Sequence, residues 1–244
     1  MILRLALFSA ALVAATSACN SESGNAPTGP LNIEPVAPPA GQSWDQMVTT
    51  TDEGGFLMGN PDAPVKLIEF GSMTCPHCAD FDDSVEKLVA DYVKTGKVSF
   101  EFRNYVRDPF DLTASLIARC GGPERFFPLT HAMFASQEEW VGKLQQSQQQ
   151  LEAAMNVGPE RQFVEIAKIA GLQTWAAQRG VTSAQSTQCL SNQAEIDRLV
   201  QMNADAGQQF SIPGTPSFVI NGKLVENAAS WESLEPKLRE ALGS

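Results

Sequence analysis

Cys75-Pro76-His77-Cys78 sets two thiols three positions apart with an imidazole between them. Such a pair can close into a disulfide; once opened, one thiolate attacks a foreign disulfide and the other resolves the product. The segment ahead of it, Val65-Lys66-Leu67-Ile68-Glu69-Phe70, is a short apolar run ending at Gly71 and preceded by the turn residues Asn60-Pro61-Asp62-Ala63-Pro64. Its length and β-branching predict a buried strand. Behind the motif the period changes: Phe81, Val85, Leu88, Val89 and Tyr92 recur at helical spacing up to Gly96, predicting a helix over 75–92. The thiols therefore stand at a helix N-terminus, where free amide donors and the helix dipole favour negative charge on sulfur. Cys75, at the tip, is the candidate nucleophile, and Cys78, one turn inward, the candidate resolving thiol. His77 is placed to donate a hydrogen bond to the Cys75 thiolate. The competing reading is a zinc half-site of Cys75, His77 and Cys78. Zinc sites recruit a second spaced Cys/His pair, and the other histidine, His131, stands alone in a helical stretch, so no metal is expected.

Val98 to Val106 alternates well enough for a second strand, parallel to the first by the handedness of such crossovers, which makes a βαβ unit. Residues 109–209 show helical patterns with stop signals. Leu112, Leu116 and Ile117 lead to Cys120 and Gly121-Gly122, Phe126 to Leu144 carries Phe127, Met133, Phe134, Trp140 and Val141, and Pro159 to Ala170 closes on Gly171. Ala194 to Gln209 follows Asn192 and Glu195, a capping pattern, and is expected to bury Ile196, Leu199 and Val200. The Gln/Ser stretch 145–150 reads as a solvated loop or helix end. Ser217-Phe218-Val219-Ile220, an Asn221-Gly222 turn and Lys223-Leu224-Val225-Glu226 form a hairpin signal. A last helix has Ser230 as its cap and Trp231, Leu234, Leu238 and Leu242 as its buried stripe. The fold class is α/β.

The 244 residues carry 17 Lys+Arg against 28 Asp+Glu, a net charge of −11, the wrong sign for a phosphate-backbone binder, so no nucleic-acid partner is expected. Met1-Ile2-Leu3-Arg4 followed by the apolar stretch Leu5 to Ala15 reads as a secretory signal over 1–18. Thr16-Ser17-Ala18-Cys19 is similar to the lipobox of bacterial lipoproteins, with Thr16 where Leu is usual, which makes Cys19 a candidate lipidation site; ordinary cleavage after Ala18 is the alternative. Residues 19–43, rich in Pro, Gly, Ser and Asn, read as a flexible tether. Cys120 and Cys189 fall in the helical region, and in an oxidising compartment a structural disulfide between them is the simplest reading, with a second redox pair as the alternative.

The run Glu69-Phe70-Gly71-Ser72-Met73-Thr74-Cys75-Pro76-His77-Cys78, the helical insertion and Gly214-Thr215-Pro216 before the hairpin together resemble the thioredoxin superfamily, and within it the DsbA-like thiol:disulfide oxidoreductases of the bacterial periplasm. The resemblance covers about residues 44–242. It implies a thioredoxin-like domain of residues 44–108 and 210–244 interrupted by an all-helical insertion domain of 109–209. It further implies a cis bond before Pro216, a Thr215 that lies beside Cys75 and offers its backbone to an extended client, and a partly buried Glu69 that handles the proton of Cys78. The expected activity is donation of a disulfide to exported, thiol-containing proteins, without a cofactor, and reoxidation by a quinone-linked membrane partner. The rival readings are a disulfide isomerase or reductase, and a lipid-anchored chaperone-like protein whose cysteines form a structural bridge.

Overall fold

A computed structural model describes residues 33–243; the expected signal sequence, the Cys19 anchor and most of the tether lie outside the described residues. Two short strands, β1 (Val48–Thr50) and β2 (Phe56–Met58), precede β3 (Val65–Gly71), β4 (Val98–Asn104), β5 (Ser217–Ile220) and β6 (Lys223–Leu224). They form one sheet in the order β1-β2-β4-β3-β5-β6, with β3 and β4 parallel and the other neighbours antiparallel. β3 is central, which is why it reads as a nearly continuous apolar run. Its alternation puts Leu67 and Glu69 on one face and Ile68 and Phe70 on the other.

The predicted helix over 75–92 is two helices, α1 (Pro76–Asp82) and α2 (Val85–Asp91). The break falls at Asp83-Ser84, where the Ser84 N–H turns back to the Phe81 carbonyl at 2.8 Å. Short polar side chains of this kind favour helix ends over helix interiors. Beyond β4 come α3 (Pro109–Arg119), α4 (Pro123–Ala135), α5 (Gln137–Gln145), α6 (Gln148–Met155), α7 (Pro159–Ile169), α8 (Leu172–Ala177), α9 (Ser183–Leu190) and α10 (Gln193–Phe210), all helical as the sequence patterns imply, before β5, β6 and the terminal α11 (Trp231–Leu242) close the chain. The pattern over Phe126–Leu144 is interrupted at Ser136, whose hydroxyl donates to the Ala132 carbonyl at 2.8 Å and ends α4. The polar stretch 145–150 divides between the end of α5 and the first turn of α6, which is anchored by buried Leu151 and Ala154. One side chain expected inside is outside: Val200 is 55% exposed, because the buried stripe of α10 runs through Ile196, Leu199, Met202 and Ala206 and leaves Val200 on its outer edge.

A single cluster of buried side chains spans the sheet and the helical insertion. Phe126 of α4 stacks on Phe56 of β2 with ring centroids 3.9 Å apart and meets Phe102 of β4 at 5.6 Å, so α4 covers the face that also carries Leu67 and Glu69. α10 covers the opposite face, where Phe70, Val219, Ala206 and Ile212 pack together. Buried Arg119 of α3 holds Glu195 of α10 at 2.5 Å and Asn104 of β4 at 3.1 Å, a paired charge bridging the insertion and the sheet. Residues 33–43 have no regular strand or helix, yet the Val36 N–H donates to the Thr95 carbonyl and the Trp44 indole to that of Val36, so the chain runs along the domain before β1.

Candidate functional site

The C-terminal ends of β3 and β4 lie side by side, Gly71 opposite Asn104, and everything that follows either strand converges there. Ser72 to Cys75 follow β3; Arg107 and Asp108 follow β4. Cys75 is the N-cap residue of α1 with Pro76 at the first helical position, where the missing N–H costs nothing. Both Cys75 and Cys78 are free thiols and both are buried, Cys78 completely. The Cys75 thiol donates to the Thr215 carbonyl oxygen at 3.2 Å, across a loop in which the Thr215–Pro216 bond is cis.

The two sulfurs are strongly unequal. Cys75 is held down to about 5, first by a hydrogen bond from the Cys78 thiol, then by the Thr215 hydroxyl, the Cys78 backbone N–H and the charge of Arg107, all acting against the cost of burial. Cys78 is pushed well above the usual thiol range by burial, by its hydrogen bond to Cys75 and by the facing Glu69 carboxyl; the Ser72 N–H at 3.5 Å only partly offsets this. Near neutral pH the reduced pair is therefore a thiolate at Cys75 beside a thiol at Cys78. Lowering Cys75 from 9.0 to about 5 corresponds to thiolate stabilisation on the order of 5 kcal/mol. Glu69 is 2% exposed, and burial, then Asp82, then Cys75 raise its carboxyl well above the carboxylate range.

The structure thus brings Cys75, Cys78, Glu69, Thr215 and Pro216 together, and it leaves His77 apart. The His77 side chain is 76% exposed and its Nδ1 faces Asp80 Oδ2 at 3.4 Å; the hydrogen bond expected from it to the Cys75 thiolate is not formed. Two residues beyond Cys75, it sits on another side of the helix. Cys120 and Cys189 are joined in a disulfide that ties the end of α3 to α9, far in sequence from the thiol pair. No group of three or more metal-ligating side chains occurs among the described residues, and no helix among them is long and apolar enough to cross a membrane.

Three residues absent from the sequence reading fix the redox loop. Asp111, fully buried on α3, accepts from the Ser72 hydroxyl at 2.6 Å, the Met73 N–H at 2.8 Å and the Arg107 N–H at 2.9 Å. Burial raises its carboxyl to about 6, against those three hydrogen bonds. Arg107 donates through Nε to Ser72 Oγ and through Nη2 to Thr74 Oγ1, both at 2.9 Å, which lays its charge along the loop next to Cys75. Gln137, at the start of α5, donates to the carbonyls of Met73 at 2.8 Å and Cys75 at 3.0 Å. The available signal was positional: Arg107 is the first charged residue past β4, and β4 is the parallel neighbour of the strand that leads to Cys75.

The thioredoxin family model matches residues 51–239, most of the chain. A solved protein-disulfide isomerase from Novosphingobium aromaticivorans is 37% identical, with a TM-score of 0.73 over 77% of this chain and 97% of its own. Wolbachia pipientis alpha-DsbA1 shares the fold at 22% identity and a TM-score of 0.61, over 83% of this chain and 96% of that one. Among curated proteins, disulfide bond formation protein D of Bacillus subtilis is 24% identical over 207 residues, 78% of each chain. A Rickettsia bellii relative, provisionally named as a protein-disulfide oxidoreductase, is 28% identical over 177 residues; the match spans 72% of this chain but only 60% of that longer protein. The chain belongs to the thioredoxin family and has the DsbA-like fold, in which an all-helical insertion interrupts the thioredoxin-like domain.

Proposed function

We propose that the protein is a thiol:disulfide oxidoreductase that donates the Cys75–Cys78 disulfide to exported proteins through a mixed disulfide at Cys75. The observation that carries this reading is the inequality of the two sulfurs. Only the reduced form contains the stabilised thiolate, so lowering Cys75 favours reduction of the pair and makes its disulfide a good oxidant. At pH 7 the shift from 9.0 to about 5 favours the reduced form by about 3 kcal/mol, or about 60 mV.

In this reading a client thiolate attacks Cys75 Sγ, the Cys75–Cys78 bond breaks, and Cys78 leaves with the electron pair and takes a proton supplied by Glu69. A second client thiolate then attacks the client sulfur of the mixed disulfide and expels Cys75 as the stable thiolate. The client loses two electrons and two protons; the enzyme pair gains two electrons. Thr215 and Pro216 support the client strand beside Cys75, along an open recess lined by Pro213, Gly214, Leu224 and Val225. Reoxidation falls to a quinone-linked membrane partner, Cys120–Cys189 is structural, and Cys19 carries the lipid that tethers the domain in the periplasm. The name of the Bacillus subtilis relative supports the oxidase direction, and that of the Rickettsia relative the oxidoreductase class.

The name of the Novosphingobium neighbour favours a second reading, an isomerase, which uses the same attack by Cys75 but rests in the reduced state. The resting redox state of Cys75–Cys78 in cells, trapped by acid quench and thiol alkylation, separates them: a pair held oxidised supports the oxidase, and a pair held reduced overturns it in favour of the isomerase. In a Cys78→Ala variant, client proteins should accumulate as mixed disulfides on Cys75.

A further inference from the structure

Glu69 Oε1 has no hydrogen-bond partner among the described residues. It lines a recess of about 680 Å³ beneath α1 and α4, together with Asp82, His131 and Thr130, whose hydroxyl is also buried and unpartnered. Phe100, Phe102 and Phe127 make the walls apolar. At the outer end His131 Nδ1 stands 2.5 Å from Asp82 Oδ2; the Asp82 side chain is 10% exposed and that of His131 is 64% exposed. Exposure therefore rises from Glu69 through Asp82 to His131. Buried polar atoms that face such a volume without a protein partner are satisfied by water.

We propose that this recess is the proton port of the thiol pair, with water linking Glu69 to the Asp82–His131 pair and that pair exchanging protons with solvent. The inference rests on the reading of Cys75–Cys78 as a working redox couple. When the disulfide opens, its electron pair departs on Cys78 Sγ, which takes the proton of the Glu69 carboxyl. The carboxylate left behind is desolvated and faces Asp82, so it is refilled through the water of the recess from the Asp82–His131 pair, and the imidazole is refilled from bulk solvent. Reoxidation runs the same path outward. The strand side is closed, since even a Cβ at Gly71 would stand 2.5 Å from the Phe102 ring and 3.1 Å from Glu69 Oε1. The other titratable groups around the path are carboxyls: Asp45, Glu86 and Glu124 on the recess and Asp83 beside Asp82. His131 is the one imidazole among them. It is a positioning and relay residue rather than a catalytic one, because it touches neither sulfur.

The test follows opening of the Cys75–Cys78 disulfide by reduced glutathione in the full-length protein, in weakly buffered solution, by rapid quench and mass analysis. His131→Ala should slow opening on the order of tenfold while leaving the equilibrium constant with glutathione within about twofold of the parent, and added imidazole should restore the rate in proportion to its concentration. A residue that only packs or holds Asp82 in place gives no such rescue. If His131→Ala does not fold, His131→Gln carries the same measurement, since it can hold Asp82 but cannot exchange a ring proton. A parental rate in the folded variant, or a slowed rate that ignores imidazole, overturns the port. A parent that does not react with glutathione overturns the redox reading itself, and the port with it.

Discussion

Replacing Arg107 by Met tests whether charge beside the redox loop, rather than the loop's shape alone, sets the behaviour of Cys75. Arg107 has two roles that respond differently to redox state. Its hydrogen bonds to Ser72 and Thr74 hold the loop whether Cys75 is a thiolate or half of a disulfide. Its charge acts on Cys75 only when the thiolate exists. Because the guanidinium is exposed, the interaction belongs to the high-dielectric limit, about 1 kcal/mol for unit charges in close approach. Losing it should raise the Cys75 pKa from about 5 by somewhat less than one unit and lower the potential by about 20 mV at pH 7. Ultraviolet thiolate titration reads the first, and glutathione equilibrium the second. The pH course distinguishes charge from structure. Cys75 is depressed, so its stabilisation of the reduced form is present above its pKa and vanishes as the pH falls through about 5. Above that point one proton accompanies two electrons and the potential falls by about 30 mV per pH unit; below it two protons do so and the slope is about 60 mV. The parent and variant curves should therefore run parallel above pH 6 and merge below pH 5, with Arg107→Lys close to the parent. Identical curves, or an offset that survives unchanged below pH 5, would refute the electrostatic account.

Glu69→Gln keeps the shape of the side chain but can neither give nor take the Cys78 proton; the attack of Cys78 on a preformed mixed disulfide should slow by about a hundredfold in single-turnover measurements, with little change in urea stability. Gln137→Leu strands the carbonyls of Met73 and Cys75 and should destabilise the protein by about 1–3 kcal/mol by denaturant titration. Replacing both Cys120 and Cys189 by Ala removes a cross-link over 69 residues and should cost about 2–5 kcal/mol while leaving the Cys75–Cys78 potential unchanged; a shifted potential would favour an electron relay between the pairs.

The strand, the cysteine pair and the helix start are legible in the sequence because each rests on local spacing. β3 is a short apolar run, α1 opens with Pro76, and the hairpin turns on Asn221-Gly222. The β1 and β2 strands are not legible, since three residues each give no period and their pairing with β4 is a long-range contact. Val200 shows the limit of a helical stripe, whose centre can be read but whose edges depend on what packs against it. His77 shows that nearness in sequence to a reactive atom is a poor guide within a helix, where a neighbour two positions on points elsewhere. Arg107, Asp111 and Gln137 are 32, 36 and 62 residues from Cys75, and no spacing rule connects them to it.

Two of those residues also change what the insertion is for. Asp111 and Gln137 belong to α3 and α5 of the helical insertion, yet their hydrogen bonds end on the backbone of Ser72 to Cys75 or on the groups beside it. The Arg119–Asn104 hydrogen bond and the Phe56–Phe126 stack tie that same insertion to the sheet, so the helices that hold the loop are themselves anchored to β4 and β2. Asp111 adds a condition: with its carboxyl near 6, acidification below that pH protonates the group that accepts from Ser72, Met73 and Arg107. The protonated acid keeps one oxygen as an acceptor and loses charge-assisted strength toward the others, so the loop should loosen over an interval just above the one in which Cys75 loses its thiolate. Amide hydrogen exchange at Met73 and Arg107 between pH 7 and 5 reads this directly, with Asp111→Asn as the constitutively loosened reference. Protection that stays constant in the parent after correction for intrinsic exchange would show that the three hydrogen bonds hold Asp111 ionised through the whole range.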